Sequence, residues 1–127
     1  MEIAEVNAFV TGAASGIGRE TTLALASAGA RVTATDLDRA GLDALAEAGA
    51  QAKLDIKTAV LDVTDREAYE ALARSLGEQG RMPAIVVNNA GVGYLGSRFD
   101  TPVAAWERLR RINGMGVVHG CQIFGPP

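Results

Sequence analysis

Three groups of residues in this sequence are of types and spacings that can do chemistry. The first is Thr11-Gly12-Ala13-Ala14-Ser15-Gly16-Ile17-Gly18. Glycines here allow a tight turn, a close approach of backbone to a bound group, and close packing of a following helix. Such a turn between a strand and a helix gathers free backbone N–H groups and the positive end of the helix at one point, which suits a pyrophosphate. The second group is acidic: Asp36, 18 residues past Gly18, and Asp62, which precedes Val63. A carboxylate closing a second strand can accept both hydroxyls of a ribose and repels a phosphate on the 2′ oxygen. The third is Asn88-Asn89-Ala90-Gly91, in which amide side chains can tie adjacent strand ends together. A tight turn after a strand would explain Gly91 but not two consecutive Asn.

The elements that must position these residues alternate along the chain. Val6–Val10 reads as a short buried strand and Gly16–Ala28 as a helix stopped by Gly29. Arg31–Asp36 is a β-branched strand, and Arg39–Glu47 a helix with Leu42, Leu45 and Ala46 on one side, ending near Gly49. Ile56–Leu61 is the third strand. Thr64 or Asp65 caps the next helix, where Ala68, Leu72 and Leu76 keep a four-residue spacing. Ala84–Val87 is continuously apolar, the pattern of a strand buried on both faces. The loop Gly91–Asp100 follows, and Thr101-Pro102 opens the last helix with Thr as cap and Pro in its first turn. Strands and helices alternating with short links predict an α/β fold: a Rossmann-type, doubly wound parallel sheet in strand order 3-2-1-4, binding across the carboxyl ends of strands one and four.

With 127 residues the chain is expected to be one domain that buries about two-thirds of its unfolded surface. A net charge of −3 argues against nucleic acid or an anionic membrane as partner. No apolar run approaches the ~20 residues of a membrane span, and Met1–Glu5 carries no basic-then-apolar signal. The single cysteine, Cys121, fits a reducing, cytoplasmic compartment. Cys121 and the one histidine, His119, cannot assemble a metal site on their own and read as residues of a helix, so no metal is expected.

The Thr-Gly-x-x-x-Gly-Ile-Gly spacing resembles the short-chain dehydrogenase/reductase family, and Asp36, Asp62-Val63 and Asn88–Gly91 match it in order. The resemblance implies a dinucleotide held by Gly12, Ser15, Gly16, Ile17 and Gly18, with Asp36 and Leu37 at the adenosine ribose. Asp62 and Val63 would take the exocyclic amine and ring edge of adenine. Asn89, Ala90 and Gly91 would leave room for the second ribose and the nicotinamide. Members that use the phosphorylated cofactor usually carry a basic residue before the second glycine or after the acidic position. Ser15 and Leu37 stand there, so NAD is expected over NADP; Arg39 is the nearby basic residue that keeps NADP open. Asn113, 24 residues past Asn89, matches a family Asn that interrupts its helix and holds a water of the proton relay. Two glycines, Gly114 and Gly116, also predict a weakened helix there. Each has a plainer alternative: Asp36 a turn aspartate, Asp62 a helix cap, Asn113 a structural residue.

The resemblance covers nearly the whole sequence but about half the family's usual length. Members transfer hydride between the nicotinamide and an alcohol or ketone, using a serine and a Tyr-x-x-x-Lys pair. The resemblance puts all three beyond the equivalent of residue 127. Tyr69 is followed four residues later by Ala73 and Tyr94 by Arg98. A tyrosine with its ordinary pKa near 10 is a poor acid–base catalyst without the lysine. Lys53 and Lys57 are expected to face solvent. The chain is therefore expected to bind a dinucleotide without turning it over. Its fourth strand would be an apolar edge, and Val103, Trp106, Leu109, Ile112 and Val117 form a stripe that in the family packs on a partner subunit; Trp106 as a core residue is the plainer reading. The expected partner is a second copy or a complementary C-terminal half. The competing readings are a stand-alone NAD-binding regulatory or sensor module, and a structural chain that binds nothing.

Overall fold

The computed structural model describes residues 2–91 and 99–125. Four parallel strands, β1 (Asn7–Thr11), β2 (Arg31–Asp36), β3 (Ile56–Val60) and β4 (Ile85–Val87), form one sheet in the order β3-β2-β1-β4. This is the predicted topology. The register places Thr11 opposite Thr35 and Val10 opposite Val87, so the ends of β1, β2 and β4 open on the same side.

Side-chain alternation along β1 divides the core. Ala8 and Val10, with Val32 and Ala34 of β2, pack with Ala26 of α1 (Gly16–Ser27) and Leu45 of α2 (Arg39–Gln51). Phe9 points the other way, with Leu61, Val63, and Tyr69 and Leu76 of α3 (Arg66–Glu78). Phe9 stacks on Tyr69 with ring centroids 5.8 Å apart, and Phe124 of α5 (Gly116–Phe124) closes the trio 4.7 Å from Phe9. Such aromatic groupings add to simple burial. Arg81 is buried beneath the sheet and donates to the Val32 carbonyl and to Asp55.

Several expected boundaries move. α2 runs through Gly49 to Gln51 rather than stopping near it, because Gly49 is a packing residue: a Cβ there would come within 3.0 Å of the Ile56 side chain. In α3 the buried face is Tyr69, Ala73 and Leu76 with Leu72 beside them, and Ala68 is exposed; the Phe9 ring takes the tyrosine and sets the helix's rotation. Asp65, not Thr64, caps that helix, accepting from the Ala68 N–H at 3.1 Å. β4 is three residues long and only half-buried, since it lies at the edge of the sheet with one strand neighbour. Pro102, not Thr101, stands at the cap of α4 (Val103–Leu109), which buries no residue. Trp106 is 49% exposed and Val103 75%, so Trp106 is not a core residue. Lys53 and Lys57 are exposed, as expected. No helix among the described residues is long and apolar enough to cross a membrane.

Candidate nucleotide-binding site

The turn after β1 is built around two glycines in the left-handed region, Gly12 at φ +66° and Gly16 at φ +56°. Gly12 also has no space for a side chain, since a Cβ would lie 2.9 Å from Ala90 Cα and from Asn89 Nδ2. Gly18, the third glycine, starts the helix so close to the turn that a Cβ would sit 2.0 Å from the Gly12 carbonyl oxygen. Around Gly16 there is open space within 4 Å, on the side away from the protein. Ser15 precedes α1 in an extended conformation and its side chain makes no capping hydrogen bond. The first-turn N–H groups of α1 therefore have no capping oxygen from their own chain at that position, as an anion-binding helix start requires.

The end of β4 is bonded to this turn. Thr11 Oγ accepts from the N–H groups of Asn89 (3.0 Å) and Ala90 (2.9 Å), and Asn89 Nδ2 donates to the Gly12 carbonyl at 3.1 Å. Thr11 is 2% exposed. Its hydroxyl is a site-building group that the chemistry of the glycines alone does not point to, although it stands within the same motif.

Asp36 is fixed at both oxygens. Oδ2 accepts from the Ala14 N–H and Oδ1 from the Asp38 N–H, each at 3.0 Å. The Asp36 carboxylate is thus aimed at the glycine turn, while the capping task at α2 falls to Asp38, which accepts from the Gly41 N–H. Asp62 accepts at Oδ1 from the Thr64 N–H (2.9 Å) and the Thr64 hydroxyl (2.6 Å).

Gly12, Asp36, Leu37, Asp62, Val63, Ala90 and Gly91 line one cavity of about 130 Å³, with Leu61, Arg108 and Ile112. Seven of the expected site residues thus meet in a single depression over the carboxyl ends of the strands. Ser15, Gly16, Ile17 and Gly18 flank it at the start of α1, with Ile17 78% exposed. Asn89 supports it from behind. Arg108 and Ile112 were not expected, and nothing in their spacing marks them; only the folding of α4 over the cavity brings them there. Asn113 sits in a π-helical turn, Arg110–Met115, between α4 and α5. The weakened helix predicted from Gly114 and Gly116 takes this form. Asn113 reaches the end of β4: a Cβ on Gly91 would lie 3.3 Å from Asn113 Oδ1. The expected loop Gly91–Asp100, with Tyr94 and Arg98, lies mostly outside the described residues.

Comparison with known proteins places these features. The family described as short chain dehydrogenase matches residues 6–127. Over 117 residues the chain is 47% identical to Probable oxidoreductase EphD of Mycobacterium tuberculosis, covering 91% of this chain and 20% of that protein. It is 42% identical over 119 residues to 2-keto-3-deoxy-L-fuconate dehydrogenase of Xanthomonas campestris, covering 93% of this chain and 37% of that one. Among solved structures, a short chain dehydrogenase/reductase of Burkholderia phymatum in complex with NAD superposes with a TM-score of 0.93 at 30% identity, over 99% of this chain and 45% of that one. The chain spans between a fifth and about half the length of the curated relatives it matches. On the match over residues 6–127 and the strand order that carries the glycine turn, this chain belongs to the short-chain dehydrogenase family.

Proposed function

We propose that this chain is the dinucleotide-binding half of an NAD-dependent oxidoreductase that moves a hydride between an alcohol and a ketone. The observation that carries the reading is the Asp36 carboxylate, pinned by the Ala14 and Asp38 N–H groups on the rim of the cavity that Gly12, Asp62, Val63 and Ala90 also line. A dinucleotide fits these residues: the space at Gly16 and the uncapped start of α1 suit a pyrophosphate, and Asp36 suits a ribose with both hydroxyls free. Leu37 and Val63 offer apolar walls for a flat base, and Asp62 an acceptor at its edge. The Xanthomonas relative's name, a dehydrogenase of a 2-keto-3-deoxy sugar acid, supports the alcohol–ketone class. The bound cofactor supplies the hydride chemistry. The chain's own residues hold its phosphates, select the unphosphorylated ribose through charge, and place Asn113 beside Gly91, where it can hold a water.

These residues alone bind the cofactor and do not turn it over: no Tyr-x-x-x-Lys occurs among them. The β4 edge and the exposed Val103 and Trp106 on α4 are covered by a second copy or by a complementary C-terminal half. The unbroken glycine turn and the fixed Asp36 count against a chain that binds nothing.

Calorimetric titration with NAD and NADP tests the reading. Asp36 should make NAD the tighter ligand. Asp36→Ala should weaken NAD by about tenfold or more, the worth of one or two charge-assisted hydrogen bonds, and narrow the gap to NADP. Absence of NAD binding by the folded chain would overturn the proposal. Measurable reduction of a carbonyl compound by the 127 residues alone would overturn the claim that they are half an enzyme.

A further inference from the structure

The turn that carries Asp62 and Val63 is gripped from outside the sheet by α5. His119 is 7% exposed, and its Nδ1 lies 2.8 Å from the Val63 carbonyl oxygen. A carbonyl can only accept, so Nδ1 bears the proton and donates. Gly116, three residues earlier and so on the same side of the helix, meets the other part of the same residue. A Cβ at Gly116 would come 2.7 Å from Val63 Cγ2. Val63 is thus held at its carbonyl by a histidine and at its side chain by a glycine's missing methyl.

The bond continues toward the cavity. The Val63 carbonyl and the Thr64 N–H belong to one planar peptide unit. Its carbonyl end accepts from His119, and its N–H end donates to Asp62 Oδ1 at 2.9 Å. The Thr64 hydroxyl takes the same oxygen at 2.6 Å, so Oδ2 is the Asp62 oxygen left for a ligand's donor. His119, the Val63–Thr64 peptide and Asp62 form a chain in which each hydrogen bond orients and polarises the next.

We propose that His119 is a positioning residue for base recognition: through the Val63–Thr64 peptide it fixes the Asp62 carboxylate and so makes the site selective for a purine bearing an exocyclic amino group. This rests on the reading above, in which Asp62 and Val63 meet the adenine. Asp62 Oδ2 accepts from the amino group, and the Val63 N–H donates to the ring nitrogen beside it. A hypoxanthine base, with an oxygen in place of the amine and a proton on that ring nitrogen, offers both groups the wrong partner.

The test is titration of the full chain with NAD and with its hypoxanthine counterpart. The wild-type chain should bind NAD more tightly. His119→Leu, which keeps volume and removes the donor, should cut that preference by about fivefold, the worth of one hydrogen bond, mainly through weaker NAD binding. His119→Asn, whose Nδ2 stands where Nδ1 did, should restore most of it. Gly116→Ala, which pushes on Val63 from its other side, should lower the preference independently. If His119→Leu and Gly116→Ala weaken both ligands equally and leave the ratio at its wild-type value, His119 is merely structural and the proposal fails. If the wild-type chain binds NAD but does not discriminate between the bases, Asp62 does not read the amine; the inference then falls while dinucleotide binding through Asp36 stands.

Discussion

Asn89 Nδ2 donates to the Gly12 carbonyl across 3.1 Å, so the glycine turn after β1 and the end of β4 are one hydrogen-bonded unit. Its shape depends on both strands. Asn89→Ala would leave the Gly12 carbonyl without this donor, at a cost of about 1–2 kcal/mol in denaturant unfolding and about tenfold in dinucleotide affinity. Asn89→Asp should be worse than Asn89→Ala in both measurements, because a carboxylate oxygen would face the carbonyl oxygen. An Asn89→Asp variant as stable as the Ala variant would show that the amide does not point at Gly12.

Gly18 and Gly16 stand in one turn and answer different demands. A methyl group at Gly18 would lie 2.0 Å from the Gly12 oxygen and 2.5 Å from Asn89 Nδ2, so α1 would have to move off the sheet. Gly16 has room for a methyl group but holds φ at +56°. Gly18→Ala should cost about 3 kcal/mol, as overpacking against backbone does. Gly16→Ala should cost about 1 kcal/mol from backbone strain. Thermal unfolding of both variants compares them directly, and equal losses would contradict the close approach of Gly12 and Gly18.

Tyr69 is fully buried between Phe9 and Phe124, and its hydroxyl finds no hydrogen-bond partner among the described residues. Burial, reinforced by Cys121 nearby, pushes the phenol up to about 12. The unfolded chain ionises this group near pH 10, so between pH 10 and 12 the unfolded state holds fewer protons than the folded one. The sign follows: the contribution is intact below pH 10 and is lost as pH rises toward 12, on the order of 2 kcal/mol in all. Tyr69→Phe removes an unsatisfied hydroxyl and should be neutral or slightly stabilising at pH 7. It should also flatten the alkaline limb of an unfolding-versus-pH curve; an unchanged limb would place its cause elsewhere.

The sheet order was legible because it follows from periodicity and link length, which are local. Asp36 was legible as a residue, and its two N–H donors could be found only by folding, since Ala14 lies 22 positions away in the chain. Helix ends were less legible where a glycine served packing rather than termination, as at Gly49 against Ile56. The rotation of α3 was misread because Ala68, Leu72 and Leu76 share a spacing with the face that contains Tyr69, and only the Phe9 ring selects between them. Arg108 and His119 lay beyond sequence reasoning for the same reason. Their partners are set by how α4, the π-helical turn and α5 lie across the strand ends, and no residue spacing records that.

The π-helical turn Arg110–Met115 has a consequence for how this chain can tolerate change in length. A wide turn of this kind holds one residue more than an α-helix needs for the same path, and therefore sets the phase of everything downstream. Removing a single residue from it would let α4 and α5 merge into one regular helix, swinging α5 by about 100° about its axis. Gly116 and His119 would then face away from Val63, and a one-codon deletion with no direct reach to any ligand would erase the purine-reading end of the cleft.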